Sequence, residues 1–173
     1  MKRIILLCAF VALIASACQQ GPVRYTQNSP EIETVKQFID NYNNKLFDTG
    51  VYADTSKTYY NTNKNPMSPS EVMDYHRQTD ANYATRGFKG DNQEYEMVVT
   101  DEGETWVNCW LQWQCSLAAN NKKIEIPIHL TYQFIDGKIV REYGYWDPTE
   151  IVLGLQKIEA EAKMAESEME PTE

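Results

Sequence analysis

Apolar side chains recur at three- and four-residue spacings over the first part of the chain beyond residue 28, which predicts helices. Ser29-Pro30 begins the first helix, and Glu31 and Glu33 place negative charge in its first turn, where the helix dipole favours it. The apolar face of this helix is Ile32, Val35, Phe38, Ile39, Tyr42 and Leu46.

A second helix is predicted from Ser68, with Glu71 as its capping-box partner. The residues expected at helical spacings along the rest of this helix are Val72, Met73, His76, Thr79 and Tyr83. We expect this helix to stop near Gly87, and we expect a short strand around Thr58–Tyr60 between the two helices.

From residue 93 the apolar positions alternate, which predicts strands. The four predicted strands are Gln93–Thr100, Glu104–Ala118, Lys122–Ile135 and Lys138–Trp146. Asp136-Gly137 is a strong hairpin signal, so the sheet is predicted to be an antiparallel meander. Pro127 is expected to mark a bulge that bends the third of these strands.

The two longest predicted strands each have one apolar face. Those faces are Val107, Cys109, Leu111, Trp113, Cys115 and Leu117 on one strand, and Ile124, Ile126, Ile128, Leu130, Tyr132 and Phe134 on the next. We expect these faces to pack on the helices and the opposite faces, which include His129, to be at least partly solvated.

The end of the predicted sheet carries a family resemblance. The stretch 134–142 (FIDGKIVRE), followed by Tyr145-Trp146-Asp147 and a short helix, resembles the end of SnoaL-like proteins in the nuclear transport factor 2-like superfamily. The resemblance covers roughly residues 30–157. It implies an α+β, cone-shaped fold in which a strongly curved antiparallel sheet wraps over N-terminal helices. That superfamily contains cyclases, isomerases and pocketed proteins without known activity, so the resemblance alone does not assign a function.

The first seventeen residues, MKRIILLCAFVALIASA, predict a secretory signal. They have a basic start, an apolar run over 4–14 that is too short for a permanent membrane span, and small residues before Cys18. This order resembles the lipobox of bacterial lipoproteins. It implies cleavage before Cys18, a diacylglycerol on its thiol and a further acyl chain, palmitate or similar, on its amino group.

The chain is therefore divided into a signal peptide (1–17), a lipidated tether (18–28), a SnoaL-like domain (29–158) and an acidic tail (159–173) that we expect to be frayed or disordered. The protein is expected in the bacterial cell envelope, held to a membrane by lipid and facing the periplasm or the cell surface. Removing Lys2 and Arg3 with the signal changes the formal net charge from −9 to −11. This charge disfavours nucleic acid and anionic lipid as partners.

Cys109 and Cys115 are six positions apart on one predicted strand, about 20 Å at the usual rise per residue, which excludes a disulfide between them. They are interpreted as small core residues. The two histidines of the chain have no nearby carboxylate cluster, so we expect no metal and no cofactor.

Asp147 is the catalytic candidate. The resemblance implies that an aspartate at this position serves as general acid/base in the SnoaL-like cyclases. A carboxylate ringed by Tyr143, Tyr145 and Trp146 is expected to be partly desolvated, with a raised pKa. Alternatively, Asp147 before Pro148 caps the terminal helix.

Aromatic residues crowd the predicted strands and indicate an apolar pocket with polar groups, although core filling explains many of them. The candidate pocket residues are His76, Tyr59, Tyr60, Trp113, Tyr132, Tyr143 and Tyr145. A single bulge in the last strand would exchange Tyr143, Tyr145 and Asp147 with Gly144 and Trp146.

Three functions remain open at this point. The first is a pocket that binds a small apolar or amphipathic ligand without chemistry. The second is a cyclase or isomerase that uses Asp147 as its general acid/base. The third is an interaction module that forms a homodimer through the polar face of the sheet.

Overall fold

A computed structural model describes residues 23–169. Three helices, α1 to α3, span Pro30–Asn43, Pro69–Asp80 and Thr149–Met169. Seven strands, β1 to β7, span Tyr25–Thr26, Tyr52–Tyr60, Tyr83–Phe88, Glu94–Val99, Thr105–Leu117, Lys123–Ile135 and Lys138–Tyr145. The predicted signal peptide and Cys18 lie outside the described residues. Within 23–169, no helix combines the length and the apolar character needed to cross a membrane.

Both predicted helix starts are confirmed. The Ser29 hydroxyl accepts a hydrogen bond from the Ile32 backbone N–H at 3.3 Å. Ser68 and Glu71 form the full capping box, in which the Ser68 backbone N–H donates to Glu71 Oε2 at 2.7 Å. These bonds satisfy N–H groups that the first turn of a helix leaves without partners.

The second helix is shorter than predicted, because residues 83–88 form strand β3 instead of its last turns. β3 pairs antiparallel with the far half of β5, from Tyr83 opposite Leu117 to Phe88 opposite Trp113. β4 covers only the first half of the same edge of β5, up to Trp110. A helix through residue 87 would therefore leave the backbone groups of that half of β5 without partners.

The sheet has the order β1-β4-β5-β6-β7-β2, with β3 also paired to β5. Its four-strand meander, β4 to β7, is confirmed to within one residue of each predicted boundary. Strand β2 is longer than the predicted strand at Thr58–Tyr60 and pairs with β7 in parallel. The sheet is therefore mixed, and it curves over the helices as the cone-shaped α+β fold requires.

The last strand contains a bulge that the sequence pattern does not place. Gln133 pairs with Arg141, whereas the next residue of β6, Phe134, pairs with Ile139. Val140 is therefore an extra residue in β7. A one-residue insertion exchanges the two faces of everything that follows it.

The predicted bulge at Pro127 is wrong, because Pro127 pairs with Gln112 in uninterrupted register. On its other side, Pro127 has no partner in β7, because β7 ends at Tyr145, which pairs with His129. Pro127 thus lies where β6 is bonded to β5 alone, a place that tolerates a residue without a backbone N–H.

The apolar faces of β5 and β6 form the core as predicted, and Cys109 and Cys115 are buried free cysteines within it. Helix α3 covers one end of this core through Ile151, Leu155 and Ile158. α3 continues to Met169, so the expectation that the acidic tail is frayed or disordered is wrong for residues 159–169. Residues 159–168 are helical and exposed.

Candidate functional site

The curved sheet and the helices line a cavity of about 90 Å³. The sequence-predicted residues His76, Tyr60, Trp113 and Tyr132 all line it. The other lining residues are Phe38, Ile39, Tyr42, Tyr75, Thr79, Tyr83, Phe88, Ile126, Ile128, Leu130, Glu142, Trp146 and Ile151. Tyr75, which lines the cavity, has 37% of its surface exposed.

Glu142 is the one carboxylate in this wall, and it is almost fully buried, with 1% of its surface exposed. Its carboxylate accepts hydrogen bonds from the hydroxyls of Tyr52 at 2.6 Å, Thr58 at 3.1 Å and Tyr60 at 3.1 Å. The Tyr132 hydroxyl faces the same carboxylate but does not reach hydrogen-bond geometry. A buried acidic group thus lies at the polar end of a largely aromatic cavity.

Burial raises the pKa of Glu142 above its ordinary value, although the hydroxyls that donate to it act in the opposite direction. Removing a carboxylate from water disfavours its charged form, whereas donated hydrogen bonds favour it. Tyr52 and Tyr60 have pKa values well above the ordinary one because they are buried and lie beside this carboxylate. Near neutral pH the tyrosines are therefore neutral donors, and Glu142 is the group whose charge can change.

His76 lies across Tyr60 from Glu142. The Tyr60 hydroxyl is 3.4 Å from His76 Nε2 and 3.1 Å from Glu142 Oε1, so it bridges the two side chains. Burial, followed by the charge of Arg86, lowers the pKa of His76 to about 4. His76 is therefore neutral near pH 7 and can donate or accept one hydrogen bond at the cavity wall.

Arg86 is a buried cation behind this wall. Its guanidinium lies 4.0 Å from the centre of the Tyr42 ring, and its Nε donates to Asp80 at 2.8 Å. Lys45 Nζ donates a hydrogen bond to the other carboxylate oxygen, Asp80 Oδ2, at 2.7 Å. Asp80 therefore neutralises part of this charge, and the Tyr42 ring separates Arg86 from the cavity.

The structure contradicts the predicted environment of Asp147. Its side chain is exposed, and hydrogen bonds from Thr149 lower its pKa instead of raising it. The Thr149 backbone N–H donates to Asp147 Oδ1 at 2.9 Å, at the start of α3. This is the helix-start role that the sequence left open, and it does not provide the desolvated base that the catalytic interpretation requires.

The prediction that Tyr59, Tyr143 and Tyr145 line the pocket is wrong. The three side chains lie on the outer face of the sheet, where the rings of Tyr59 and Tyr143 stack at 5.0 Å and those of Tyr143 and Tyr145 at 6.4 Å. For Tyr143 and Tyr145 the reason is the bulge at Val140, which turns Glu142, Gly144 and Trp146 toward the cavity. Tyr59 faces outward because it is next to Tyr60 on β2, whose side chain faces the cavity, and neighbouring residues of a strand point to opposite faces. His129 continues this outer row, 6.4 Å from Tyr145, as its predicted place on the opposite face implies.

Glu142 is the functional candidate that sequence reasoning missed. By simple alternation from Ile139, position 142 falls on the outer face, where a glutamate is unremarkable. A usable signal lies in β2, where Ser56 and Thr58 are polar residues that the structure buries beside β7. A pair of small hydroxyl residues at alternate positions in a strand is consistent with a buried polar partner.

Solved structures with the same fold support the resemblance seen in the sequence. A SnoaL-like polyketide cyclase from Agrobacterium tumefaciens matches with a TM-score of 0.54 and 18% identity, over 74% of this chain and 98% of that one. A nuclear transport factor 2-like protein of unknown function from Burkholderia pseudomallei matches with a TM-score of 0.58 and 12% identity, over 72% and 96%.

A third structure is a protein with a ketosteroid isomerase-like fold from Catenulispora acidiphila, in complex with trimethylamine. It matches with a TM-score of 0.52 and 10% identity, over 65% of this chain and 84% of that one. No family model and no curated protein matches the sequence. At these identities the likeness shows the fold: the chain has the cone-shaped fold of SnoaL-like and nuclear transport factor 2-like proteins.

Proposed function

We propose that this protein is a membrane-anchored lipoprotein of the bacterial cell envelope whose cone binds a small molecule. The observation that carries the proposal is the cavity of about 90 Å³ walled by aromatic rings, with Glu142 at its polar end. Ligand pockets in proteins typically combine apolar walls with a few polar groups that fix orientation. The anchor is supported by the lipobox-like sequence that ends at Cys18.

The size of the cavity limits the ligand. An engineered apolar cavity of about 150 Å³ takes benzene. A cavity of about 90 Å³ therefore takes a smaller molecule, or the buried end of a longer one that leaves past Tyr75. One structural neighbour is a complex with trimethylamine, which makes compounds of that size a reasonable first panel.

The proposal is tested by thermal unfolding of the 19–173 fragment with a panel of small amines, alcohols, ketones and acids. A ligand at one hundred times its Kd stabilises the folded state by about 2.7 kcal/mol. Ile128→Trp, which fills the cavity from β6, is expected to abolish the stabilisation. Ile135→Trp makes the same change at an exposed position of the same strand and is expected to preserve it.

If the compounds that stabilise the wild type stabilise Ile128→Trp equally, they bind elsewhere and the pocket proposal is wrong. A panel that stabilises none of the three proteins counts against it as well. Wild-type stabilisation that Ile128→Trp loses and Ile135→Trp keeps is the result that supports it.

A second candidate is a cyclase or isomerase in which Glu142, not Asp147, moves the proton. The observation that favours it is the raised pKa of Glu142 in the same cavity wall as the neutral donors Tyr60 and His76. In this scheme the carboxylate takes a proton from carbon next to a carbonyl. Tyr60, whose hydrogen bond to the carboxylate is given up as Glu142 is protonated, donates to the enolate oxygen instead, and the proton then returns from Glu142 to carbon.

This chemistry is tested by NMR in deuterated water with small ketones, where the loss of the signal of the protons next to the carbonyl reports proton exchange. Glu142→Gln is expected to remove the exchange while Asp147→Asn keeps it. Exchange that survives in Glu142→Gln, or that the wild type does not accelerate above buffer, eliminates the enzymatic candidate.

A further inference from the structure

Both oxygens of the Glu142 carboxylate accept hydrogen bonds, but within residues 23–169 the charge of the carboxylate is not paired with a cation. Three hydroxyls donate to its carboxylate, an arrangement suited to the ionised form. In the described part of the chain, no lysine, arginine or histidine forms an ion pair with it. A buried carboxylate is costly unless a cation pairs with it. The missing positive charge can be supplied by a ligand.

The cavity wall beside Glu142 suits such a charge. The Tyr60 ring meets the Trp146 ring at 5.2 Å and 63°, and the Tyr75 ring at 5.7 Å and 54°. The three rings thus lie in different planes along the cavity wall. The electron-rich faces of aromatic rings attract cations, most strongly where water is excluded.

Two other features of the site agree with this chemistry. The Tyr132 hydroxyl is buried, lines the cavity and has no hydrogen-bond partner, so the lone pairs of its oxygen can face a positive charge. His76 is neutral near pH 7 because its pKa is lowered to about 4, so it does not repel a cation. The net charge of −11 that remains without Lys2 and Arg3 also raises the concentration of cations near the protein.

We propose that the cone binds a small organic cation of the alkylammonium class, with its charge beside Glu142 and its alkyl groups against the rings of Tyr60 and Trp146. This inference rests on the function proposed above and narrows it to one class of ligand.

The test is calorimetric titration of the 19–173 fragment with tetramethylammonium, whose charge is permanent, and with tert-butanol, a neutral molecule of similar shape. Tetramethylammonium is expected to bind at least about tenfold more tightly near pH 8, a ratio typical of a desolvated cation–aromatic site. Equal or tighter binding of tert-butanol would leave the pocket in place and overturn the choice of ligand. Failure of tetramethylammonium to bind at all also overturns the inference.

The affinity for tetramethylammonium is expected to fall as the pH is lowered, because protonation removes the charge of Glu142. The other titratable groups facing this carboxylate are Tyr52 and Tyr60 on β2, Tyr132 on β6, Cys109 on β5 and, across Tyr60, His76 on α2. Burial raises the pKa values of the tyrosines and the cysteine, and that of His76 is about 4. Glu142 is therefore the group expected to release a proton when the cation binds.

Glu142→Gln is expected to lose both the preference for the cation and the dependence on pH, whereas the exposed control Asp147→Asn is expected to keep both. Unchanged cation preference in a folded Glu142→Gln protein overturns the inference. If Glu142→Gln does not fold, Trp146→Leu takes its place, and it is expected to weaken tetramethylammonium more than tert-butanol. Equal weakening of the two probes contradicts the inference.

Discussion

Gly144 lies directly against the ring of Tyr60: a Cβ added to Gly144 would be 2.9 Å from Tyr60 Cδ1. The same Cβ would be 2.9 Å from Trp146 Cζ3 and 3.1 Å from Leu130 Cδ2. The absence of a side chain at this position is therefore what lets the two rings close over the strand and form one side of the cavity.

We expect Gly144→Ala to lower the free energy of unfolding by about 1–3 kcal/mol, the usual cost of overpacking a core. The rings must move apart, so ligand binding is expected to weaken too. Urea denaturation measures the first effect. Gly90→Ala is the matched control, because a Cβ there meets nothing within 4 Å. Equal stability of the two variants contradicts this account of the cavity wall.

The charge state of Glu142 predicts how stability changes with pH. Because its folded-state pKa is raised, its contribution to stability is fully present below the ordinary value of 4.5 and is lost as the pH rises through the folded-state pKa. The stability of the wild type relative to Glu142→Gln is therefore expected to fall as the pH rises above 4.5. Urea denaturation across this range, in a buffer without organic cations, measures the difference.

Asp147→Asn provides the comparison of opposite sign. The pKa of Asp147 is lowered, so any contribution it makes is present at higher pH and lost as the pH falls. A wild-type stability that does not fall relative to Glu142→Gln above pH 4.5 would show that Glu142 is not desolvated as described.

His76 predicts a loss of stability in acid. Its pKa falls from 6.5 to about 4 on folding, so its contribution is complete above pH 6.5 and is lost as the pH drops toward 4. This change corresponds to roughly 3 kcal/mol. His76→Phe is expected to remove that part of the acid sensitivity. NMR titration of the imidazole, assigned with His129→Gln, should give a midpoint near 4, and a midpoint near 6.5 would contradict the buried position of His76.

Elements that are formed by interactions between residues close in sequence can be predicted, whereas elements that depend on partners distant in sequence cannot. Helix starts at Ser29 and Ser68 follow from local hydrogen bonds, and the alternation in β5 and β6 follows from one buried face. The sequence pattern predicts helix where β3 lies, because the partner of β3, the far half of β5, is distant in sequence. No local pattern predicts the parallel pairing of β2 with β7 for the same reason.

The candidate site was predicted in part. His76 is placed at the cavity by its helical spacing, and Trp113 and Tyr132 by the alternation of their strands. Tyr60 is predicted only together with its neighbour Tyr59, from the abundance of aromatic residues. The residues of β7 beyond Val140 were assigned to the opposite faces, since no local pattern marks the inserted residue. The inserted residue hides Glu142, whereas Asp147 is a candidate because of the family resemblance.

The anchor is tested by Cys18→Ser in the full-length protein. Without the thiol, the protein is expected to stop incorporating radioactive palmitate and to remain a precursor or leave the membrane fraction, because a chain of net charge −11 after cleavage is repelled by anionic headgroups. Folding of residues 30–157 should not change. Ala15→Ser, which keeps Cys18 and a small residue, serves as the control. A processed, membrane-bound Cys18→Ser protein would rule out the lipid as the sole anchor.

The central claim, that the cone holds a small molecule, is tested most directly by native mass spectrometry of protein purified from its own host. We expect the wild type to carry an additional mass that is released on unfolding. Ile128→Trp, purified in the same way, is expected to be free of that mass, and Ile135→Trp to retain it. Wild-type protein that is repeatedly free of any added mass, or an added mass that Ile128→Trp retains in full, would contradict the account.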